Sequence, residues 1–305
     1  MTEPFTLAHF SDVHLPPAGG VPWRYANAKR LLGYLNWQRK RRHVHVRQVA
    51  DRLIADARKL RPDHIAITGD LVNLGLPSEY EAALEWLESV GPPDAVTVVP
   101  GNHDIYSNLR GDRGIGRWAA YMGGEEETLA FPFIRRVGPL ALIGLNSAHE
   151  TPPFVARGAL GSQQIEIASG QLSALERDGI IRVVLIHHPP LASLAAPRRE
   201  LTDAAHFVNL IERQGAEVIL YGHNHRARVD WLPTLGKPVP LVAAGSASAL
   251  IPHNQEAPAS YNLLTFFRKA TGGLRIRLVV RGMTEANGPI EKLSETFLEF
   301  DQPKI

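Results

Sequence analysis

The apolar residues of this chain follow two spacings that take turns along its length. Short apolar runs at 5–10, 64–68, 95–99, 140–145, 181–186, 217–220 and 239–244 predict strands. Two more, at 261–267 and 274–280, predict a hairpin turning through Thr271, Gly272 and Gly273. Elsewhere the spacing changes to three and four. Apolar positions 46, 49, 50, 53, 54, 57 and 60 make one stripe, which predicts a helix over 46–60. Ser78 and Glu81 have the spacing of a capping box for a helix reaching Val90. Helices are also predicted over 163–177, with Gly179 as the stop, and over 202–213, ended by Gly215. Residues 105–127 are glycine-rich and predict a loop, and the stretch after Gly282 holds no sustained period. Strands that alternate with helices in this way predict an α/β fold.

Nothing in the middle of the 305 residues reads as a linker, so one domain is expected over 1–282, with a tail at 283–305. The apolar share of 44% and charged share of 21% are those of a globular chain. With no cysteine, disulfides are excluded and any metal must be held by nitrogen and oxygen. The first strand begins too early for a signal peptide, and no apolar run approaches the ~20 residues that span a bilayer. A cytoplasmic protein, soluble or peripheral to the membrane, is therefore expected.

Charge adds one feature. Between Val13 and Ala50 there are eight Lys or Arg residues and no acid, which leaves 25 basic against 31 acidic residues in the rest of the chain. This stretch, 16–45, fits no core element. Prolines and glycines open it, an amphipathic helix is predicted over 25–37, and Arg39-Lys40-Arg41-Arg42 follows. Basic residues beside Leu31, Leu35, Tyr34 and Trp37 suit a lid over an anionic substrate or, through residues 24–47, an acidic membrane surface. A solvated basic helix is the plainer alternative.

Candidate chemistry gathers where the predicted strands end. Asp12 and His14 follow the first; residues two apart on extended chain face one way, so both can reach one ion. Asp70 follows the second, and Asn102, His103 and Asp104 follow the third. His187 and His188 come next, with opposite facings expected for adjacent residues, and then His223 and His225. Open α/β sheets place ligands at such carboxyl ends. His9 and His64 fall inside strands and read as core, whereas His43 and His45 read as part of the basic surface.

In this order the motifs Asp12-Val13-His14, Gly69-Asp70, Gly101-Asn102-His103-Asp104, His187 and Gly222-His223-Asn224-His225 resemble those of the calcineurin-like metallophosphoesterases. The resemblance spans residues 12–225. It implies a four-layer α/β/β/α sandwich holding two metal ions; imidazole and carboxylate suit Mn, Fe or Zn first, with Co and Ni also compatible. One ion would take Asp12, His14 and His225, the other Asn102, His187 and His223, and Asp70 would bridge them. His187 rather than His188 is implied because Pro189 lies two residues on. His103 would act as acid or charge stabiliser, with Asp104 orienting its ring. The implied reaction is phosphodiester hydrolysis by a metal-bridging hydroxide.

The insert leaves the substrate open. An alternative is a peripheral-membrane pyrophosphatase acting on a lipid-linked nucleotide diphosphate of the UDP-diacylglucosamine type. A nuclease is disfavoured because no second basic stripe follows residue 50, and a non-catalytic scaffold is disfavoured by the full ligand set. His253 and Arg157 are further candidates for substrate contact, and the sequence leaves oligomeric state open.

Overall fold

The computed structural model describes residues 3–300 apart from 18, 108–110, 124–128, 235, 253–255 and 269–272. The first sheet contains β1 (Phe5–Phe10), β2 (His64–Ile67) and β3 (Val96–Val98), all parallel. It continues antiparallel into β10 (Ser260–Arg268), β11 (Leu274–Gly282) and β12 (Glu291–Phe300), in the order β12-β11-β10-β1-β2-β3. The second sheet holds β4 (Phe133–Val137), β5 (Leu140–Gly144), β6 (Ile181–Leu185), β7 (Val218–Tyr221), β8 (Arg228–Leu232) and β9 (Val239–Ala243). Its order is β4-β5-β6-β7-β9-β8, with β5, β6, β7 and β9 parallel.

The alternation of strand side chains explains the layering. Leu140, Leu142, Val183 and Leu185 join Leu7, Ala66 and Leu264 in the buried cluster between the sheets. Their neighbours Ala141, Ile143, Val184 and Ile186 face the other way, onto Leu172 and Leu175 of α6 (Ser162–Arg177) and Phe207 and Ile211 of α7 (Ala204–Gln214). On the far side, Val49, Leu53 and Ile54 of α3 (Arg47–Lys59) and Ala83, Trp86 and Leu87 of α4 (Pro77–Val90) pack on the first sheet. The result is the expected α/β/β/α sandwich. Because the central strands of each sheet run parallel, their carboxyl ends share one edge of the molecule.

Several elements differ from the sequence reading. α4 starts with Pro77, and the Glu79 carboxylate accepts the N–H groups of Asn73 (3.0 Å) and Leu76 (2.9 Å), so the Ser78–Glu81 box does not form. Within 105–127, helical turns at Gly114–Trp118 and α5 (Ala119–Met122) bury Trp118, whose indole N–H donates to Tyr80 O at 2.9 Å. After Gly282, β12 is an exposed edge strand. It pairs with β11 through Arg277–Glu295 (2.7 Å) and Arg275–Glu299 (2.9 Å), which is why no apolar period announces it.

The basic insert is docked. α1 (Ala28–Asn36) begins at Asn27, whose side chain accepts from Arg30 N, and Arg30 is buried with its guanidinium donating to Leu74 O (3.1 Å), Tyr25 O (3.0 Å), Gly75 O (3.2 Å) and Ser107 O (2.8 Å). A wide π turn over Trp37–Arg41 and α2 (Arg42–Val44) then lead to His45, which forms a β-bridge with Ala249 after β9. Among the described residues, no helix is long and apolar enough to cross a membrane.

Candidate metal centre

Backbone bonds sew the strand ends together before any side chain is considered. Asp12 N donates to Gly69 O (2.9 Å), His14 N to Asp70 O (2.9 Å), Gly222 N to His187 O (3.1 Å) and Ala247 N to Ser11 O (2.9 Å), so both sheets meet along one line. Two glycines permit the closeness. A Cβ on Gly69 would lie 2.5 Å from Gly101 N, and one on Gly222 would lie 1.8 Å from Ser11 Oγ. Asp12 and His14 do not converge along extended chain as expected. Both are left-handed, at φ 55° and 45°, as are Asp70 (57°), His223 (71°) and His225 (55°).

These five and the side chains of Asn102 and His187 make seven candidate ligands pointing inward, all buried. His225 Nε2 lies 3.2 Å from Asp12 Oδ1 and 3.2 Å from His14 Nε2. Across from them, His187 Nε2 lies 3.2 Å from both Asn102 Oδ1 and His223 Nδ1. Asp70 Oδ2 stands between the groups, 3.8 Å from His14 Nε2 and 3.4 Å from His187 Nε2. One ligand atom from each of Asp70, His187 and His223 falls within 4.8 Å of the others, as do those of His14, Asp70 and His103, and of His14, His45 and His225.

The outward nitrogens fix which atom points in. His14 Nδ1 faces Val72 O (3.3 Å), His187 Nδ1 faces Thr68 O (2.6 Å) and His225 Nδ1 faces Glu256 Oε2 (2.8 Å). Each places that ring's proton on Nδ1 and leaves Nε2 as the inward ligand, the support that metal-binding histidines need. Two features fit cations rather than packing. Asp12 Oδ1 is buried with no hydrogen-bond partner, and His14 Nε2 faces His225 Nε2 although in the neutral rings both protons are held on Nδ1, so neither nitrogen can donate to the other. The protonation balance agrees. Burial alone would lower His187 and His225, but Asp70 pushes the first up to about 9, and Asp12 with Glu256 pushes the second up to about 9. The carboxylates draw positive charge to the places where a cation would sit.

The calcineurin-like phosphoesterase family model matches residues 5–227. This chain belongs to that family. Relatives of this calcineurin-like phosphoesterase include a "probable cyclic nucleotide phosphodiesterase" of Rhodococcus erythropolis, 25% identical over 223 residues, which are 72% of this chain and 64% of that protein. A glycerophosphodiester phosphodiesterase of Enterobacter lignolyticus is 26% identical over 226 residues, 72% of this chain and 70% of the relative. Among solved structures, a dimetal phosphatase of Danio rerio superposes with a TM-score of 0.61 at 14% identity, covering 97% of this chain and 99% of the other. At that identity the likeness is one of fold.

Around the clustered candidate ligands the structure changes some assignments. Asp104 does not touch the His103 ring. Its Oδ2 accepts from Asp70 N (2.8 Å) and Gly101 N (2.8 Å), and its Oδ1 from Leu71 N (2.9 Å) and Val72 N (3.1 Å), so it fastens two ligand loops together. Asn73 O holds His103 Nδ1 instead, at 2.6 Å. His188 is turned away, with Nδ1 on Ser147 Oγ (2.8 Å). His45, read as surface, is buried beside His14 with ring centroids 4.6 Å apart, its Nδ1 on Ser248 Oγ at 2.9 Å. The β-branched flank Val44-His45-Val46 was the available signal. Arg157 turns to Pro197 O (2.6 Å) and Glu200, and His253 lies outside the described residues.

A cavity of 310 Å³ opens over the ligands, lined by Asp70, Asn102, His103, His223, His225 and Glu256 with Lys40 and Arg41. It runs into a second of 410 Å³, lined by Lys29, Leu32, Tyr106, Pro153, Phe154 and Val155. Asn36, Arg41, Asn102, His103, Ala156 and Arg199 line both.

Proposed function

We propose that this protein is a phosphodiesterase that holds two divalent cations, one by Asp12, His14 and His225, the other by Asn102, His187 and His223, with Asp70 common to both. The observation that carries this is Asp70 Oδ2 standing between two buried donor groups, 3.8 Å from His14 and 3.4 Å from His187. Bound there, two cations supply Lewis-acid polarisation of phosphoryl oxygens and make water acidic enough to attack near neutral pH. Imidazole and carboxylate suit Mn, Fe or Zn, which elemental analysis of protein purified without chelators identifies.

The chain's own residues do the rest. His103 presents Nε2 to the cavity because Nδ1 is held by Asn73 O. Burial lowers its pKa, Asp70 partly offsets that, and Arg41 lowers it further, to about 4. A phosphoryl anion facing both Arg41 and His103 favours the charged imidazole, which can then give its Nε2 proton to the departing alkoxide. Closure of the strand ends keeps the donors buried and fixed before substrate arrives. The two curated relatives, named for cyclic nucleotide and glycerophosphodiester substrates, support a diester substrate.

The test is hydrolysis of bis(p-nitrophenyl) phosphate after chelation and metal add-back. Activity should return with metal, and Asp70→Ala should lose it; wild-type turnover by Asp70→Ala at saturating metal overturns the assignment. A second reading, a lipid-linked diphosphate at a membrane surface, is favoured by one observation. Trp23 is 89% exposed, and Leu31, Leu32 and Leu35 are exposed on the same basic insert. Failure to pellet with acidic liposomes at low salt removes it.

A further inference from the structure

The run Arg39-Lys40-Arg41-Arg42 was read as a single basic face, but the structure divides it. Arg39, Lys40 and Arg42 are exposed, and Arg41 alone of the four is turned in, at the end of the π turn Trp37–Arg41. Such widened turns recur where a helix must redirect a functional side chain. Arg41 Nη1 lies 3.3 Å from His103 Nε2, and its Nε and Nη2 are shielded from solvent with no hydrogen-bond partner. No carboxylate forms an ion pair with it among the described residues. A guanidinium held dry with half its fork unused is expensive unless an anion completes it.

Its surroundings say which anion. Arg41 lines both cavities where they meet, beside Asn102 and His103, and Arg199 lines both from another wall, its Nε 3.5 Å from His223 Nε2. An object at this junction touches the candidate metal ligands on one side and two guanidinium groups on the others. Planar N–H forks of this kind match the oxygens of a phosphoryl group.

Resting on the phosphodiesterase reading, we propose that Arg41 is a substrate-contacting residue, delivered by the insert, whose guanidinium grips non-bridging oxygens of the scissile phosphoryl group. The insert is then part of the active site. The position also sets the direction of the two ester arms: one extends over Lys40 and Glu256, the other into the Leu32, Tyr106 and Phe154 half of the trough. The substrate is accordingly a phosphodiester with one apolar or aromatic arm.

The experiment compares wild type with Arg41→Met and Arg41→Lys, all metal-loaded, by calorimetric titration of inorganic phosphate, by thermal unfolding and by turnover of bis(p-nitrophenyl) phosphate. Arg41→Met should weaken phosphate binding at least about tenfold and lower kcat/KM about 100-fold or more, as loss of a fixed donor to a reacting group does. Arg41→Lys, keeping charge without the fork, should fall between. Because the guanidinium gives up few bonds to protein, the Tm of Arg41→Met should equal or exceed that of wild type, and phosphate should raise it less. Phosphate affinity and kcat/KM within threefold of wild type overturn the proposal. So does a lowered Tm with phosphate affinity unchanged, which marks Arg41 as structural. If wild type binds phosphate through Arg41 but turns over no diester, the phosphodiesterase reading falls and the grip stands; turnover insensitive to Arg41→Met gives the reverse.

Discussion

Replacing Asp104 with Asn changes one atom and tests what that carboxylate is for. Four backbone N–H groups point at it, from Asp70, Leu71, Val72 and Gly101, at 2.8 to 3.1 Å, two on each oxygen. Asn has one acceptor oxygen. Whichever way the amide is turned, two buried donors face an NH2 group that also donates, and the other two lose the help of the negative charge. A buried donor left unsatisfied costs about 1–3 kcal/mol, and each weakened charge-assisted bond adds to that, so about 3–6 kcal/mol is expected. That is a large part of the ~5–15 kcal/mol that holds a typical domain. Urea unfolding of metal-loaded Asp104→Asn, followed by circular dichroism, should show the midpoint moved far down at unchanged slope. If Asp104 instead oriented the His103 ring, the variant would lose kcat at unchanged stability. A midpoint within about 0.5 kcal/mol of wild type, with kcat impaired, refutes the fastening role.

Three further outcomes follow from the geometry. Gly222→Ala places a methyl 1.8 Å from Ser11 Oγ and 2.7 Å from Asp12 Oδ2, so the variant should lose roughly 1–3 kcal/mol and bind metal more weakly; unchanged metal affinity by calorimetry counts against the crowding. Burial, with Arg135 nearby, lowers His64 to about 4, against 6.5 in the unfolded chain. Its contribution is therefore complete above pH 6.5 and is lost as pH falls from 6.5 towards 4, up to about 3 kcal/mol. His64→Gln should flatten the fall in urea midpoint across that window, and an unaltered fall refutes it. Chelation should lower Tm, since two cations binding only the folded chain stabilise it, and add-back should restore it; a Tm indifferent to EDTA and to added metal contradicts a buried cation site.

The strand ends were legible because each candidate ligand motif closely follows a short apolar run, and a parallel sheet carries such ends to one edge. Contacts made across the fold were not. Arg41 and His45 look like surface charge until the π turn and the bridge to Ala249 carry them inward. Asp104 lies next to His103 in sequence, and only the folded loops reveal four donors around it. β4, β8 and β12 escaped notice because they are edge strands with one face in water; β12 is matched to its neighbour by Arg275 and Arg277 rather than by an apolar rhythm. The left-handed backbone at Asp12 and His14 was hidden too, since Asp-x-His reads equally well as extended chain.

Those left-handed residues have a bearing on how such a sequence can drift. Asp12, His14, Asp70, His223 and His225 each sit in a conformation that costs an ordinary L-residue about 1–2 kcal/mol relative to the right-handed form. Glycine at any of them would relieve that tension while removing a donor. Drift to glycine would therefore forfeit more than it relieves wherever the side chain also ties the loops, as Asp12 does by accepting from His223 N (2.9 Å) and Asp70 by accepting from His103 N (2.7 Å).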